Sequence, residues 1–132
     1  MTAPPETGQT VLVVDDDDTV RTGMLGLLRA AGYAPLGYPS AAAALAGCDP
    51  VVAHCAVLDI HIGEPDGFGL CARLRARAPR LPVIFITGDD DPVLAHRADL
   101  AGALSLLQKP VDADCLLALI DAIPAPPGHL QQ

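Results

Sequence analysis

The chain has 132 residues, which fits one domain, and half of them are apolar, which is enough to build a core. Its net charge of −8 argues against direct binding to nucleic acid, since such binding depends on lysine and arginine contacts with phosphate. The sequence shows no secretory signal, metal-type cysteine spacing or membrane span, so we expect a cytoplasmic protein that does not bind membranes and whose four cysteines are free.

The first half of the chain alternates predicted strands with predicted helices. Residues 1–9 contain two prolines and a glycine, and we interpret them as a flexible N-terminal arm. Residues 10–14 form the first strand, and apolar residues at helical spacing then predict a helix with Asp18 as its N-cap and Gly32 as its stop. The next predicted elements are a weak strand at 34–38, a helix at 41–47 capped by Ser40, and a third strand at 54–58.

The second half continues the alternation. A turn over residues 62–67 leads into a helix that ends near Ala78 and exposes its arginines, Arg75 among them. The remaining predicted elements are a strand at 82–86, a helix from Asp91-Pro92 to Leu100, a strand at 104–108 and a helix from Asp112 to Ile123. We interpret residues 10–123 as one domain and residues 124–132 as a Pro-rich tail or truncated linker.

Five strand–helix pairs in this order, (βα)₅, predict an α/β fold. Because crossovers between parallel strands are right-handed, we expect a doubly wound, five-stranded parallel sheet with helices on both faces. In such sheets, chemistry gathers beyond the carboxyl ends of the strands. The ends of the predicted strands therefore identify the candidate site.

Reactive side chains follow four of the predicted strands. Asp15 and Asp16 follow the first strand, Asp59 the third, Thr87 the fourth, and Lys109 the fifth. Lys109 is the only lysine in the chain. If the four strands lie parallel and adjacent, these residues meet at one edge of the sheet.

The chemistry of these residues suits phosphoryl transfer. Two unit charges about 4 Å apart repel by roughly 4 kcal/mol at an effective dielectric constant near 20, so clustered carboxylates need a cation or a proton. Mg²⁺ prefers carboxylate oxygens, which makes Asp15, Asp16 and Asp59 candidate ligands. Asp59 is also the candidate nucleophile towards phosphorus, while Lys109 can neutralise charge and Thr87 can hydrogen-bond a phosphoryl oxygen.

With these residues in place, the chain resembles the receiver domain of bacterial two-component response regulators, a CheY-like family with a flavodoxin-like fold. The resemblance covers residues 10–123, nearly the whole chain. Its motifs are the acidic pair in Val-Val-Asp15-Asp16-Asp17, the phosphoacceptor strand and turn from Leu58-Asp59 to Asp66-Gly67, the switch hydroxyl in Ile86-Thr87-Gly88, and the last motif, Gly102-Ala103 with Lys109-Pro110.

The resemblance implies a phosphorylation switch. Asp59 would receive a phosphoryl group from the phosphohistidine of a histidine kinase or phosphotransfer protein, and the domain would then change conformation and partner binding. Mg²⁺ would be bound by Asp16, by Asp59 and by the main-chain carbonyl of His61, with Asp15 assisting through water. Apart from its own phosphorylation and slow autodephosphorylation, such a phosphoprotein is not expected to be an enzyme.

The resemblance also assigns roles around the phosphoryl group. Lys109 would contact it, Thr87 would move towards it, and a cis peptide bond would precede Pro110. His61 and Asp89, two residues past Asp59 and Thr87, would flank the water that hydrolyses the acyl phosphate. The alternative for these two residues is that they are merely exposed polar side chains.

Two positions depart from the family's pattern. Leu106 stands where the family usually has a switch aromatic, so an aromatic ring coupled to Thr87 cannot operate, and we expect altered signal output through the last two helices. Gly63 replaces the usual proline after the phosphoacceptor, which makes that loop more flexible. We infer no loss of phosphorylation from either change.

Partners and rival functions stay open at this point. The last two helices could contact an output domain, a partner protein or a second copy in a homodimer. One alternative function is a phosphorylation-independent interaction module on the same fold, which Leu106 favours. A second is a haloacid-dehalogenase-type phosphatase with Asp15 as nucleophile and Asp17 as general acid, although this would leave the match around Asp59 unexplained.

Overall fold

The computed structural model describes residues 8–124, which form five strands and five α-helices in alternation. The strands are β1 (Thr10–Val14), β2 (Ala34–Tyr38), β3 (Ala53–Asp59), β4 (Val83–Thr87) and β5 (Ser105–Gln108). The helices are α1 (Asp18–Ala30), α2 (Ala41–Gly47), α3 (Gly67–Arg77), α4 (Pro92–Leu100) and α5 (Ala113–Asp121), and a 3-10 turn at Pro50–Val52 precedes β3. The predictions for residues 1–7 and 125–132 lie outside the described residues.

All five strands are parallel and lie in the order β2-β1-β3-β4-β5, which confirms the predicted doubly wound sheet. β2 lies on one side of β1, and β3, β4 and β5 lie on the other side. The direction in which strands are added to the sheet therefore reverses beside β1 and β3. Val14 of β1 lies opposite Leu58 of β3, and the residues that come next are Asp15 and Asp59. The sheet therefore brings the two aspartates together at the crevice where this fold binds ligands.

The core consists of two layers of side chains, one on each face of the sheet. Successive residues of a strand point to opposite faces, so β1, β3 and β4 contribute apolar residues to both layers. Each fully buried aliphatic or aromatic side chain stabilises the fold by roughly 1.5–3 kcal/mol. One layer includes Leu12, Leu58 and Phe85 with Leu70 and Leu74 of α3, and the other includes Val13, Val57 and Ile84 with Leu28 of α1 and Leu116 of α5.

Side-chain caps begin the helices, and one predicted cap is wrong. The carboxylate of Asp17, not of Asp18, accepts hydrogen bonds from the backbone N–H groups of Thr19 and Val20, at 2.9 and 3.1 Å. Asp17 has the extended backbone that an N-cap needs, whereas Asp18 is already helical and pairs with Arg21. The predicted caps Ser40, Asp91 and Asp112 are confirmed, and Asp66 caps α3.

Other boundaries differ from the predictions by one or two residues. β3 and β4 extend to Asp59 and Thr87, so these residues are the last of their strands rather than the first after them. α5 ends at Asp121, two residues before the predicted Ile123. Within residues 8–124, no helix is long and apolar enough to cross a membrane.

The expected exposure of Arg75 is also wrong. Its guanidinium is half-buried and donates hydrogen bonds to the carbonyl oxygens of Leu81, Ala101 and Gly102. Ala101 and Gly102 follow α4, where helical hydrogen bonding leaves carbonyl oxygens without partners, and Leu81 precedes β4. Arg75 therefore connects α3 to the turn between α4 and β5.

Candidate functional site

Asp59 ends β3 and is 2% exposed. One carboxylate oxygen, Oδ1, accepts a hydrogen bond from the backbone N–H of His61 at 3.1 Å. The other, Oδ2, accepts one from the ammonium group of Lys109, also at 3.1 Å. The carboxylate predicted to be the nucleophile is thus oriented by the loop that follows it and by the only lysine of the chain.

Asp15 lies beside Asp59 and is fully buried. Its Oδ1 accepts a hydrogen bond from the backbone N–H of Asp17 at 2.9 Å, and its Oδ2 lies 3.1 Å from Lys109 Nζ. Burial raises the pKa of Asp15 above its ordinary value, and the backbone N–H of Asp17 and the Lys109 ammonium oppose this shift only in part. One ammonium group therefore bridges two buried carboxylates.

Lys109 reaches the site from the connection between β5 and α5. Its backbone N–H donates to the carbonyl oxygen of Thr87 at 2.8 Å, and a cis peptide bond joins it to Pro110, as predicted. Burial alone would lower the pKa of Lys109, but the nearby carboxylates of Asp59 and Asp15 raise it above the ordinary value. The side chain is therefore a fixed positive charge at neutral pH.

Three carboxylates could hold a metal ion. Asp15, Asp16 and Asp59 can each place one oxygen within 4.8 Å of the others, with Asp16 exposed and the other two buried. With all three ionised, three carboxylates and one ammonium leave two negative charges, which match a divalent cation. The enclosed Oδ2 of Asp15 lies 3.1 Å from the Lys109 ammonium but accepts no hydrogen bond of good geometry, so it keeps lone pairs for such an ion. These residues fit the predicted metal.

Thr87, the last residue of β4, is fully buried beside this cluster. Its hydroxyl oxygen accepts a hydrogen bond from the backbone N–H of Asp89 at 3.0 Å, which leaves the hydroxyl proton to be donated elsewhere. Its neighbour Ile86 lies opposite Asp59 in the sheet. The predicted hydroxyl, carboxylates and ammonium group are therefore all brought to one edge.

His61 and Asp89 form a direct contact that the sequence did not predict. His61 Nε2 lies 3.0 Å from Asp89 Oδ2, and both side chains are more than half exposed. His61 follows β3 and Asp89 follows β4, so the contact joins the two loops that border the buried carboxylates. The two residues predicted to flank an attacking water thus form one unit.

The comparison with known proteins agrees with this geometry. The family model described as the response regulator receiver domain matches residues 11–121. The chain belongs to the response regulator receiver domain family. The assignment removes the basis for the haloacid-dehalogenase-type alternative, because the family match includes β3 and the turn after Asp59.

Similar receiver domains occur in bacterial transcriptional regulators. The transcriptional regulatory protein FixJ of Azorhizobium caulinodans is 38% identical over 112 residues, which are 85% of this chain and 53% of FixJ. The C4-dicarboxylate transport transcriptional regulatory protein DctD of Rhizobium meliloti is 36% identical over 107 residues, which are 81% of this chain and 23% of DctD. The chain thus spans about half the length of FixJ, and less of DctD.

Solved structures show the same architecture. A CheY-like response regulator receiver domain protein from Methanospirillum hungatei superposes with a TM-score of 0.78 at 26% identity, over 86% of this chain and 90% of that one. Receiver domains of response regulators interact with kinases and output domains, and this chain shares their fold and their acidic group.

Gly67 is a residue of the receiver site whose role the sequence did not reveal. A Cβ atom on Gly67 would lie 2.5 Å from the carbonyl oxygen of Asp59 and 2.8 Å from the Cα atom of Ile60. Its backbone N–H donates to the carbonyl oxygen of Ile60 at 2.9 Å. Only glycine allows the start of α3 to approach the end of β3 so closely. The signal was the Asp66-Gly67 dipeptide, which we interpreted as part of the turn in the phosphoacceptor motif, without a packing role for Gly67.

Arg21 is a second residue that the sequence analysis missed. Its guanidinium donates to the carbonyl oxygen of Asp15 at 2.8 Å and also pairs with Asp18. It therefore fixes the backbone that carries the buried carboxylate of the receiver site. The available signal was its position three residues after Asp18, where helical side chains of opposite charge meet.

The two departures from the family pattern have distinct surroundings. Leu106 lies opposite Phe85 in the sheet and packs, half-buried, against the core beneath α4. Gly63 adopts a φ of 104°, a conformation that glycine tolerates and that proline cannot adopt. The loop after Asp59 therefore requires a residue like glycine at this position.

Proposed function

We propose that this receiver domain is a phosphorylation switch whose phosphoacceptor is Asp59. The single observation that supports this most is the position of the Asp59 carboxylate, buried at the end of β3, between the Lys109 ammonium and the other acidic residues. The donor is the phosphohistidine of a histidine kinase or phosphotransfer protein. The phosphorylated and unphosphorylated states differ in partner binding.

In the proposed reaction, a carboxylate oxygen of Asp59 attacks the phosphorus atom of phosphohistidine. The new O–P bond makes an acyl phosphate, the P–N bond breaks, and its electron pair returns to the imidazole. Mg²⁺, held by Asp16, Asp59 and the main-chain carbonyl of His61 with Asp15 assisting through water, would neutralise phosphoryl charge when bound. The protein's own residues supply the remaining positioning.

Lys109 and Thr87 act on the phosphoryl group after transfer. Transfer removes the negative charge of the carboxylate and adds the dianionic phosphoryl group, so the Lys109 ammonium can exchange its contact with Asp59 for one with a phosphoryl oxygen. The Thr87 hydroxyl has a proton available for another such oxygen. These contacts exist only in the phosphorylated protein. Phosphorylation therefore shifts the conformational equilibrium towards the conformation in which they form.

A groove beside Lys109 offers a docking place for the phosphodonor. It has a volume of about 320 Å³ and is lined by residues of α1, of the connection between β5 and α5, and of α5, including Val20, Met24, Pro110 and Leu116. An apolar surface next to the acceptor allows a helical donor protein to hold its phosphohistidine near Asp59. The groove thus supports the proposal that the donor is a protein.

The last two helices and β5 are the proposed output surface. Val93, Leu100 and Leu104 are 60%, 74% and 47% exposed, and such residues would be covered by an output domain, a partner protein or a second copy. Because Leu106 is aliphatic, the signal would reach this surface without rotation of an aromatic ring. The domain acts in the cytoplasm and catalyses no reaction beyond its own phosphorylation and dephosphorylation.

Incubation with Mg²⁺ and acetyl phosphate, followed by intact mass measurement, tests the proposal. We expect one phosphoryl adduct on the parent protein and on Asp99→Asn, a control at an exposed position of α4, and none on Asp59→Asn. If Mg²⁺ binds but no adduct forms on the parent protein, the phosphorylation-independent interaction module replaces this proposal.

A further inference from the structure

A second, larger groove lies at the end of the sheet opposite to the acidic site. It has a volume of about 620 Å³ and is formed where β3 and β4 begin and α3 ends. Ala53 lines the groove and Asp59 lies at the other end of the same strand, so the two sites are roughly 20 Å apart at about 3.3 Å per residue. The groove is therefore separate from the site of phosphorylation.

The walls of this groove are apolar and stiff. Four of the lining residues are prolines, whose rings fix the backbone and present no N–H donor: Pro50, Pro79, Pro82 and Pro124. Val51 stands at the rim with 63% of its surface exposed, and Leu81 is buried at the base. A preformed apolar surface of this kind suits aliphatic side chains of a ligand.

The charged residues of the groove are both cationic. Arg77 and Arg80 line it, and among the described lining residues there is no aspartate or glutamate. Arg77 has one loose partner, the exposed Asp49 at 3.6 Å, and Arg80 forms no salt bridge with any residue in the range 8–124. In a chain with 16 acidic and 8 basic residues, the groove thus carries one unpaired and one loosely paired positive charge.

We propose that this groove binds an acidic peptide segment of a partner protein. Aliphatic side chains of the peptide would pack on the prolines and Val51, while its carboxylates would pair with Arg77 and Arg80. The guanidinium groups favour a negatively charged ligand. The proline walls favour contacts with apolar side chains, because prolines offer no N–H donor for backbone hydrogen bonds. The surface is an additional interaction site of the receiver domain.

Charge complementarity also decides against two other occupants. Residues 125–132 of this chain contain no aspartate or glutamate, so their side chains offer no carboxylate to Arg77 or Arg80. A second copy that used the same groove in a two-fold dimer would bring like charges together, because such an interface is self-complementary. An external acidic segment satisfies both the apolar walls and the cationic rim.

NMR titration of the ¹⁵N-labelled full chain tests the proposal. The probe is a synthetic peptide in which glutamates alternate with leucines, and the matched control peptide carries glutamines in place of the glutamates. We expect the acidic peptide to shift the amide signals of the non-proline residues in the ranges 50–54 and 77–82, with an affinity that falls as NaCl is raised. The control peptide should bind at least severalfold more weakly.

Three variants locate the binding. The double variant Arg77→Glu/Arg80→Glu should weaken binding by about tenfold or more, which corresponds to about 1.4 kcal/mol. Arg73→Glu reverses one charge in the same way on the exposed side of α3, outside the groove, and should leave the affinity nearly unchanged. Val51→Ser removes an exposed apolar contact without disturbing the core and should also weaken binding.

Several results would overturn the proposal. The acidic peptide could fail to bind, shift signals elsewhere, or bind the double variant as tightly as the parent protein. Changes in the groove signals after Leu130→Ala, without peptide, would assign the groove to the chain's own C-terminal segment instead. Concentration-dependent dimerisation that Arg77→Glu/Arg80→Glu abolishes would assign it to a second copy.

Discussion

A single ammonium group determines the electrostatics of the acidic site. Lys109 lies 3.1 Å from the carboxylates of both Asp15 and Asp59, which are almost completely buried. Removing one member of such a buried group leaves the others with uncompensated charge. The free energy lost in this way is larger than the net stabilisation that the intact ion pair provides. The effect of a substitution at Lys109 should therefore exceed that of an ordinary surface lysine.

Lys109→Ala should slow the phosphorylation of Asp59 by roughly 100-fold, the effect typical of losing one preorganised electrostatic contact in a transition state. Lys109→Arg keeps the positive charge and should lose less. The measurement is the rate of adduct formation with acetyl phosphate, followed by intact mass at fixed Mg²⁺ concentration. A wild-type rate for Lys109→Ala would contradict the role assigned to the ammonium group.

The contact between His61 and Asp89 should lengthen the lifetime of the acyl phosphate. At 3.0 Å, it joins the two loops that border the site and so restricts the approach of water. We expect His61→Ala and Asp89→Ala each to accelerate dephosphorylation severalfold, and the double variant to add little, since both remove the same contact. Asp90→Ala, a neighbouring exposed position, is the control. Unchanged decay of the phosphoprotein in both single variants would refute this role.

At the scale of elements, the approach of α3 to β3 fixes the loop that follows Asp59. Gly67→Ala would place a Cβ atom 2.5 Å from the carbonyl oxygen of Asp59, so the helix or the strand must shift. We expect a loss of about 1–3 kcal/mol in unfolding free energy, the usual cost of overpacking, together with slower phosphorylation. Urea unfolding measures the first effect.

Gly26→Ala in α1 is the matched control for this substitution. A Cβ atom on Gly26 meets nothing within 4 Å, and the residue lies in the exposed interior of a helix. The substitution should therefore stabilise the protein by about 0.5–1 kcal/mol, since alanine favours helix more than glycine does. If both variants changed stability in the same direction, the close approach would not explain Gly67.

The strands and helices could be predicted well where short-range sequence features, such as apolar runs and capping residues, determine them. Apolar runs predicted the buried strands, and Ser40, Asp91 and Asp112 were correctly identified as caps because each directly precedes a helical pattern. The predicted cap Asp18 was wrong since four consecutive aspartates are equivalent in sequence and only backbone geometry distinguishes them.

Contacts between residues that are far apart in the chain could not be predicted from the sequence. Arg75 looked like one of several surface arginines, but it binds carbonyls that are up to 27 positions away. The contact between His61 and Asp89 and the tight approach of Gly67 likewise depend on how loops meet in the folded chain. The carboxylates, hydroxyl and lysine of the site could be predicted because parallel strands place their carboxyl ends together.

At the scale of the whole molecule, the net charge of −8 is partly concentrated at the acidic site. A divalent cation that binds the folded state but not the unfolded state stabilises the fold by RT ln(1 + [L]/Kd). We therefore expect Mg²⁺ to raise the melting temperature by a few degrees at about ten times its Kd, where the gain is about 1.4 kcal/mol.

Asp16→Asn should reduce this stabilisation by Mg²⁺, because it removes a proposed carboxylate ligand that is exposed and whose loss leaves no buried group unpaired. Asp90→Asn changes the net charge equally outside the three-carboxylate group and should keep the full effect. Thermal unfolding at constant ionic strength measures both variants. An equal effect of Mg²⁺ on both would mean that it acts through general screening rather than at this site.

We propose that the acyl phosphate forms on Asp59 and on no other aspartate. Reduction of the phosphorylated protein with borohydride converts a phosphorylated aspartate to homoserine, and peptide mass spectrometry then locates it. We predict homoserine at position 59 only, in a sample treated with Mg²⁺ and acetyl phosphate and not in an untreated one. Homoserine at position 15 or 16, with none at 59, would show that Asp59 is not the phosphoacceptor.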